Sequence, residues 1–186
     1  YKTLVLGALM VALLAYAVVR RHTRSEEEAG RLELLGAGVV GRRAPAAAAV
    51  TLAAIAVIVP SLVTAVLLIA IGLDPLGSLA LAAAWITSGL AMAGITVIAA
   101  QLTASSRGCA AIALGTRAAT YGLRAIGDSA QVASPPGGAR FLTWLSPIGW
   151  AEKVAPFGTN RFAVLALGIA MVATAIAVAF VLLDRR

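Results

Sequence analysis

The chain has 186 residues, 61% of them hydrophobic and 12% charged, and no ordinary soluble domain of this length is so apolar. Its formal net charge of +7 does not indicate a nucleic-acid partner, because the arginines lie at the ends of apolar runs and form no basic face with interleaved aromatic residues. The single cysteine, Cys109, excludes an internal disulfide and a thiolate metal cluster.

Five apolar runs predict five membrane-spanning helices, because about 20 apolar residues in a helix cross a hydrocarbon core of roughly 30 Å. The predicted spans are 3–19, 46–73, 76–100, 109–133 and 162–183. The second is long and has Pro60 at its centre, so we expect it to tilt or kink. The fourth is the weakest, since Arg117, Arg124 and Asp128 interrupt it. The sequence therefore predicts an all-α membrane protein with a single transmembrane domain.

The charged segment 20–43, between the first two spans, sets the orientation. It holds six of the fifteen basic residues and four of the eight acidic residues. With the basic residues after the third span and at the C-terminal end, it puts nine positive charges on one side against four on the other, so we expect this side to be cytoplasmic. Tyr1 would then lie outside. Because no signal peptide precedes the first span, we expect the chain to be part of a longer polypeptide with an earlier span.

The same segment contains a helix signal. Ser25 and Glu28 have the spacing of a capping box, which predicts a short cytoplasmic helix over 25–36. Glu27 and Arg31 are four residues apart in the favourable order, and leucines give the helix an apolar edge. Such a helix could present the membrane domain to a soluble partner. Alternatively, the segment is a solvated loop whose arginines only set the orientation.

The region between the fourth and fifth spans, residues 134–161, contains four prolines and four glycines. Within it, the stretch 141–157 is too short and too broken to span a membrane, and it carries Trp144 and Trp150, which are typical of membrane interfaces. We predict two short helices, separated by a break at Ser146-Pro147, that dip into the outer leaflet or lie along it without crossing the membrane. The alternative is an extracellular loop anchored by its tryptophans.

The fourth span has three ionisable residues. Arg117 and Arg124 are seven residues apart and so share a helix face, and Asp128 follows Arg124 by one turn. Charges inside a span usually face a cavity and have a function. The spacing of Arg124 and Asp128 also predicts an ion pair, which could simply order the outer end of the helix. From the sequence, both interpretations stay open.

Four motifs follow one another along the chain: EEEAGRLELL after the first span, LRAIGD at the end of the fourth, then LTWLSPIGWAEKVAPF, and a last span that ends in DRR. Together they resemble one half of an ABC-2-type (type V) exporter permease of the actinobacterial polyketide-antibiotic and multidrug branch. In that family each half has six spans, a coupling helix after the second, and a re-entrant helix pair before the sixth. The resemblance covers nearly the whole chain and implies that it holds spans two to six of the first half.

The resemblance also implies roles for individual residues. Those that match the coupling helix, which docks on a separate ATPase subunit, are Glu26, Glu27, Glu28, Arg31, Glu33, Leu34 and Leu35. Those that match the outer gate are Phe141, Trp144, Leu145, Pro147 and Trp150. The implied partners are two copies of the ATPase subunit, the remaining permease half, membrane lipids and a hydrophobic substrate. The chain has no GxxxxGK[ST] phosphate loop, so we expect it to bind no cofactor itself, with ATP and Mg bound by the ATPase subunit.

The expected function is the ATP-driven export of hydrophobic or amphipathic compounds (drugs, polyketides or lipids) across a bacterial cell membrane. We do not expect an enzyme, because the carboxylates do not pair on one span and no Ser/His pair or metal set has helical spacing. A secondary transporter is the main alternative, although proton-coupled carriers usually have carboxylates near the midplane of a span. A membrane scaffold without transport is the third. Co-purification with an ATP-hydrolysing subunit would favour the exporter.

Overall fold

The computed structural model describes residues 2–28, 43–133 and 139–184, and these form helices and turns without a strand. The first helix, α1, covers Lys2–Arg20 and continues through a π-helical segment, Arg21–Ser25, into a last described turn, Glu26–Glu28. The other helices are α2 (Ala44–Ala70), α3 (Pro75–Leu102), α4 (Ser106–Ala133), α5 (Pro147–Lys153) and α6 (Leu165–Asp184). Two 3₁₀ segments, Ala139–Leu145 and Phe162–Val164, precede α5 and α6.

Of the described helices, four are long and apolar enough to cross a membrane: Thr3–Glu28, α2, α3 and Phe162–Leu183. They correspond to the first, second, third and fifth predicted spans. Helix α4 has the length of a span but a more polar composition, so its passage through the membrane remains a prediction. The chain is an all-α membrane protein, as its composition predicted.

Helix α3 lies at the centre of the bundle and packs against α1, α2, α4, α5 and α6. Its most apolar stretch is 67% buried, compared with 22% in α2 and 17% in α6. Small residues make this possible, because they let neighbouring helix backbones approach closely. A side chain at Gly94 would collide with Ala175 of α6, and one at Gly7 of α1 would collide with the ring of Trp85. The close packing of α3 therefore depends on glycine at these two positions.

The faces of α2 and α6 that point away from α3 expose large apolar side chains. Examples are Leu62, Val66, Ile169 and Val181. Soluble proteins rarely expose large apolar patches, whereas lipid tails are as apolar as leucine. These two helices therefore present the surface expected of a protein embedded in a bilayer.

The end of α1 differs from the prediction, because no separate helix begins at Ser25. Ser25 belongs to the π-helical segment, and Glu26 has helical backbone angles (φ −75°, ψ −34°). The reason is tertiary packing: Thr23 and Arg24 are buried against the bundle and keep the helix continuous past the local capping signal. The rest of the predicted coupling helix, residues 29–36 with Arg31, Glu33, Leu34 and Leu35, lies outside the described residues.

The region before α6 forms two short helical segments, a 3₁₀ segment and α5, as its prolines predicted. Ser146 lies between them and is extended (φ −115°, ψ 128°), the conformation favoured before a proline. On the α5 side, Ile148 and Val154 are fully buried, whereas Phe141 and Leu145 of the 3₁₀ segment are exposed. The region is therefore half embedded in the bundle and half on its surface.

Candidate functional site

The end of the bundle at which α1 and α3 begin and α5 lies is called the outer end, following the predicted orientation. Here Arg124 and Asp128 of α4 and Glu152 of α5 form the outer charge cluster. Arg124 Nη2 lies 3.0 Å from Asp128 Oδ2 and 2.5 Å from Glu152 Oε1, and Arg124 Nε donates a 2.9 Å hydrogen bond to Glu152 Oε2. The Glu152 side chain is 4% exposed and that of Asp128 34%. The predicted pair is present, but the more buried partner of Arg124 is Glu152, which sequence reasoning missed.

The outer charge cluster joins elements that are distant in sequence. The Arg124 guanidinium makes two contacts with the Glu152 carboxylate, and such a pair of contacts fixes the relative orientation of the two groups as well as the distance between them. Arg124 therefore holds α5 against α4. The Arg124 guanidinium also lies 5.6 Å from the centre of the Tyr121 ring. Thr143 Oγ1, from the 3₁₀ segment, is 3.5 Å from Asp128 Oδ1. The cluster therefore anchors the region that is predicted to form the outer gate.

Arg117 lies about 10 Å further inward along α4 than Arg124 and is buried. Its Nη2 is 3.4 Å from the Ala8 carbonyl oxygen of α1 and 3.4 Å from Ser88 Oγ of α3, long distances for hydrogen bonds. Its Nε has no hydrogen-bond partner in the described part of the chain. The two arginines do share the buried face of α4, as predicted, but of these two only Arg124 has carboxylate partners in the described part of the chain.

A pocket of about 490 Å³ lies at the outer end, between α1, α2, α3 and the segment that follows α5. We call it the outer pocket. Its apolar lining includes Leu4, Leu68, Leu81, Trp85 and Phe157. Glu152 also lines it, so a carboxylate of the outer charge cluster forms part of the wall. The Trp85 Nε1–H donates a 3.0 Å hydrogen bond to the Leu4 carbonyl oxygen, which fixes the indole in the wall.

The wall that follows α5 has a strained backbone. Ala155, Phe157 and Asn160 have φ values of 47°, 60° and 45°, in the left-handed region that side chains disfavour. A hydrogen bond of 3.2 Å from the Asn160 N–H to the Ala155 carbonyl closes the turn. The Phe157 ring packs on Gly77 in the first turn of α3, where any other side chain would collide with it. Strain of this kind persists where the surrounding structure holds it, often at ligand clamps.

At the inner end, Arg24, Glu27 and Glu28 of α1 form the inner charge cluster. Arg24 is 5% exposed, and its Nε donates a 2.5 Å hydrogen bond to the carbonyl oxygen of Ala100, near the end of α3. Its Nη1 pairs with Glu27. Glu28 Oε1 accepts a 2.6 Å hydrogen bond from the Ser106 N–H at the start of α4. The inner end of α1 is thus bound to both α3 and α4, which no local pattern in the sequence indicated.

The predicted outer-gate residues occupy different environments. Pro147 is buried, whereas Phe141, Trp144 and Leu145 are exposed. Trp150 is half-buried, and its Nε1–H donates a 2.6 Å hydrogen bond to the Trp144 carbonyl oxygen. The two tryptophans are therefore linked across the break in the helix, and the exposed rings face away from the bundle core.

No protein-family model matches the chain. The chain is similar to the multidrug efflux system permease protein Rv1217c of Mycobacterium tuberculosis (strain ATCC 25618 / H37Rv), with 36% identity over 171 residues. The matched region covers 92% of this chain and 30% of that protein, so the chain spans less than a third of its relative's length. Together with the four apolar helices, this similarity shows a multi-pass membrane protein related to a drug-efflux permease.

Proposed function

We propose that the chain is part of the membrane domain of an ATP-driven exporter that moves hydrophobic or amphipathic compounds out of a bacterial cell. The observation that carries this proposal is the 36% identity, over 92% of the chain, to a protein named as a multidrug efflux permease. On this proposal the chain lies in the first half of an ABC-2-type permease. The remaining half and two copies of a separate ATPase subunit, which binds ATP and Mg, complete the exporter.

The inner charge cluster supports a coupling role for the segment 25–36. If this segment docks on the ATPase subunit, its movement acts on the inner end of α1, from which it emerges. Arg24 binds the end of α3 and Glu28 binds the start of α4, so a movement of the inner end of α1 also moves these two helices. Helix α3 in turn contributes Leu81 and Trp85 to the outer pocket. These contacts offer a mechanical connection from the cytoplasmic side to the pocket.

The outer charge cluster supports a gate role for α5 and the 3₁₀ segment before it. Helix α5 is short and follows a break at Ser146, so its position depends on its contacts rather than on a continuous helix. The ion pair between Arg124 and Glu152 supplies such a contact with α4. A gate built in this way opens when α5 and α4 separate or when they move together away from α3.

The coupling segment is tested best with Leu34→Asp combined with Leu35→Asp in the full-length exporter. Reversing Glu27 and Glu28 would also disturb Arg24 and the start of α4, so those carboxylates make poor probes of docking alone. We expect the leucine variant to insert normally, to lose co-purification with the ATPase subunit and to lose drug-stimulated ATP hydrolysis.

The matched control is Arg107→Asp, which introduces an acidic residue at an exposed position near the start of α4 on the same side. It should keep both co-purification and stimulated hydrolysis. Unchanged hydrolysis and export in the leucine variant would contradict the coupling role. A proton-dependent flux through the permease without any ATPase subunit would instead favour a secondary transporter.

A further inference from the structure

We propose that the outer pocket is a binding site for an apolar, drug-sized molecule that carries a positive charge. Its role in transport rests on the exporter function proposed above, but binding to the pocket is a property of the membrane domain alone. Three features of the pocket support binding: its size and lining, the charge in its wall and the strained turn that closes one side of it.

The pocket has the dimensions and lining of a small-molecule site. Its volume of about 490 Å³ falls within the range of roughly 300–1,000 Å³ that such sites occupy. Leucines from three helices contribute to the apolar surface, and Trp85 and Phe157 add two aromatic rings. Because the Trp85 N–H already donates to the Leu4 carbonyl oxygen, the indole needs no further partner. Aromatic rings attract cations as well as apolar groups.

The charged residue in the pocket wall determines whether the pocket favours a positively or a negatively charged ligand. Among the eleven described residues that line the pocket, Glu152 is the charged one. Its partner Arg124 reaches it from α4, a helix that contributes none of these lining residues. A ligand in the pocket therefore lies closer to the carboxylate than to the guanidinium. Arg124 is shared with Asp128, so these three described residues together carry one net negative charge, and Glu152 is the carboxylate among them that lines the pocket. In an apolar wall this charge attracts a cation and repels an anion more strongly than it would in water.

The strained turn after α5 provides independent support. Ala155 and Phe157 both line the pocket, and both have positive φ values, 47° and 60°. A left-handed backbone at residues other than glycine is strained, and it persists only where the surrounding structure holds it in place. Such residues are often found where a protein clamps a ligand. Here the result of the strain is that the Phe157 ring lies over Gly77 and closes one side of the pocket.

The test uses two ions of nearly the same size and shape and opposite charge, tetraphenylphosphonium and tetraphenylborate. Binding of radiolabelled tetraphenylphosphonium, and its displacement by tetraphenylborate, are measured by equilibrium dialysis on the full-length permease in detergent without nucleotide. We expect the cation to bind at least about tenfold more tightly than the anion, which corresponds to roughly 1.4 kcal/mol. Equal affinity, a preference for the anion, or no binding of the cation would overturn the proposal.

Two pairs of variants locate the site. Leu68→Trp fills the pocket from α2 and should weaken cation binding about tenfold or more. Leu67→Trp, the matched control, makes the same change at the next residue, which is 60% exposed, and should bind like the wild type. Glu152→Gln should remove the preference for the cation. Asp128→Asn removes a carboxylate of the same cluster that is not among the described lining residues, so it should reduce the preference less than Glu152→Gln does.

Wild-type affinity in Leu68→Trp would show that the cation binds elsewhere, and this result does not depend on how well Glu152→Gln folds. A preference for the cation that survives in Glu152→Gln would show that this carboxylate does not select the charge. The binding assay contains no ATPase subunit. Cation binding that behaves as expected, together with a proton-dependent flux that needs no ATPase subunit, would therefore leave the pocket assigned and the ATP-driven exporter refuted.

Discussion

Replacing Glu152 by alanine should destabilise the protein more than replacing Asp128, although both carboxylates bind the same guanidinium. The side chains of Arg124 and Glu152 are 10% and 4% exposed, and breaking a buried pair by removing one partner typically costs about 3–5 kcal/mol. Asp128 remains 3.0 Å from Arg124 and still partly neutralises it. We therefore expect Glu152→Ala to lower the free energy of unfolding by about 3 kcal/mol, at the lower end of this range. Asp128 is 34% exposed, and its removal should cost about 0.2–1 kcal/mol, as for pairs open to solvent.

The assay is a double-mutant cycle with Arg124→Leu. Free energies of unfolding are measured by titrating sodium dodecyl sulfate into the protein in dodecyl maltoside and following helicity by circular dichroism. The double variant leaves no buried charge without its partner, so it should lose less stability than the two single losses combined, with a coupling energy of about 2–3 kcal/mol. The parallel cycle of Arg124 with Asp128 should give a clearly smaller value.

Two results would refute this reasoning. Additive losses in the first cycle, within about 0.5 kcal/mol, would show that Arg124 and Glu152 do not interact in the folded protein. A larger coupling of Arg124 to Asp128 than to Glu152 would show that the contact within α4, rather than the contact between α4 and α5, holds the cluster. In either case the outer charge cluster could not anchor the proposed gate.

Two further predictions concern packing. Gly7→Ala should lower the free energy of unfolding by about 1–3 kcal/mol, because the added methyl group would collide with the tryptophan ring of α3. The control, Gly115→Ala, places its methyl group in open space and should not destabilise the protein. A larger loss of stability in Gly115→Ala than in Gly7→Ala would contradict the packing of α1 on α3. In a background without the native cysteine, Leu145→Cys, at a position that is 54% exposed, should react quickly with a membrane-impermeant thiol reagent. Ile148→Cys, at a position with no exposed surface, should react much more slowly, and equally fast labelling of both would show that α5 is not embedded in the bundle.

The features that the sequence predicted correctly are those that depend on neighbouring residues. Apolar runs of sufficient length become helices because a helix satisfies its own backbone hydrogen bonds in lipid. The contact of Arg124 with Asp128 follows from helical spacing, since side chains four residues apart lie on one face. The break before Pro147 follows from the clash that proline imposes on the preceding residue, Ser146.

The features that the sequence did not predict are contacts between residues far apart in the chain. Arg24 binds Ala100, 76 positions away, and Arg124 binds Glu152, 28 positions away. Which side chains meet across helices depends on how each helix is rotated, and apolar runs with little amphipathic character, such as α3, carry almost no information about rotation. A signal did exist for Glu152, because charged residues inside a span commonly pair with one another and few acidic residues lie near the outer end.

Tertiary contacts also explain why the capping signal at Ser25 failed. A capping box contributes about 1 kcal/mol, whereas burial of Arg24 on the carbonyl of Ala100 satisfies a charged group that could not be left unpaired in a poorly hydrated place. The same contact joins the inner end of α1 to the end of α3, so a movement of α1 can be passed to α3. Helix α3 is about 42 Å long, and tight glycine contacts such as that of Gly94 with Ala175 hold it closely against its neighbours. A displacement of α1 at its inner end should therefore reach Trp85 in the outer pocket as a shift of the whole of α3.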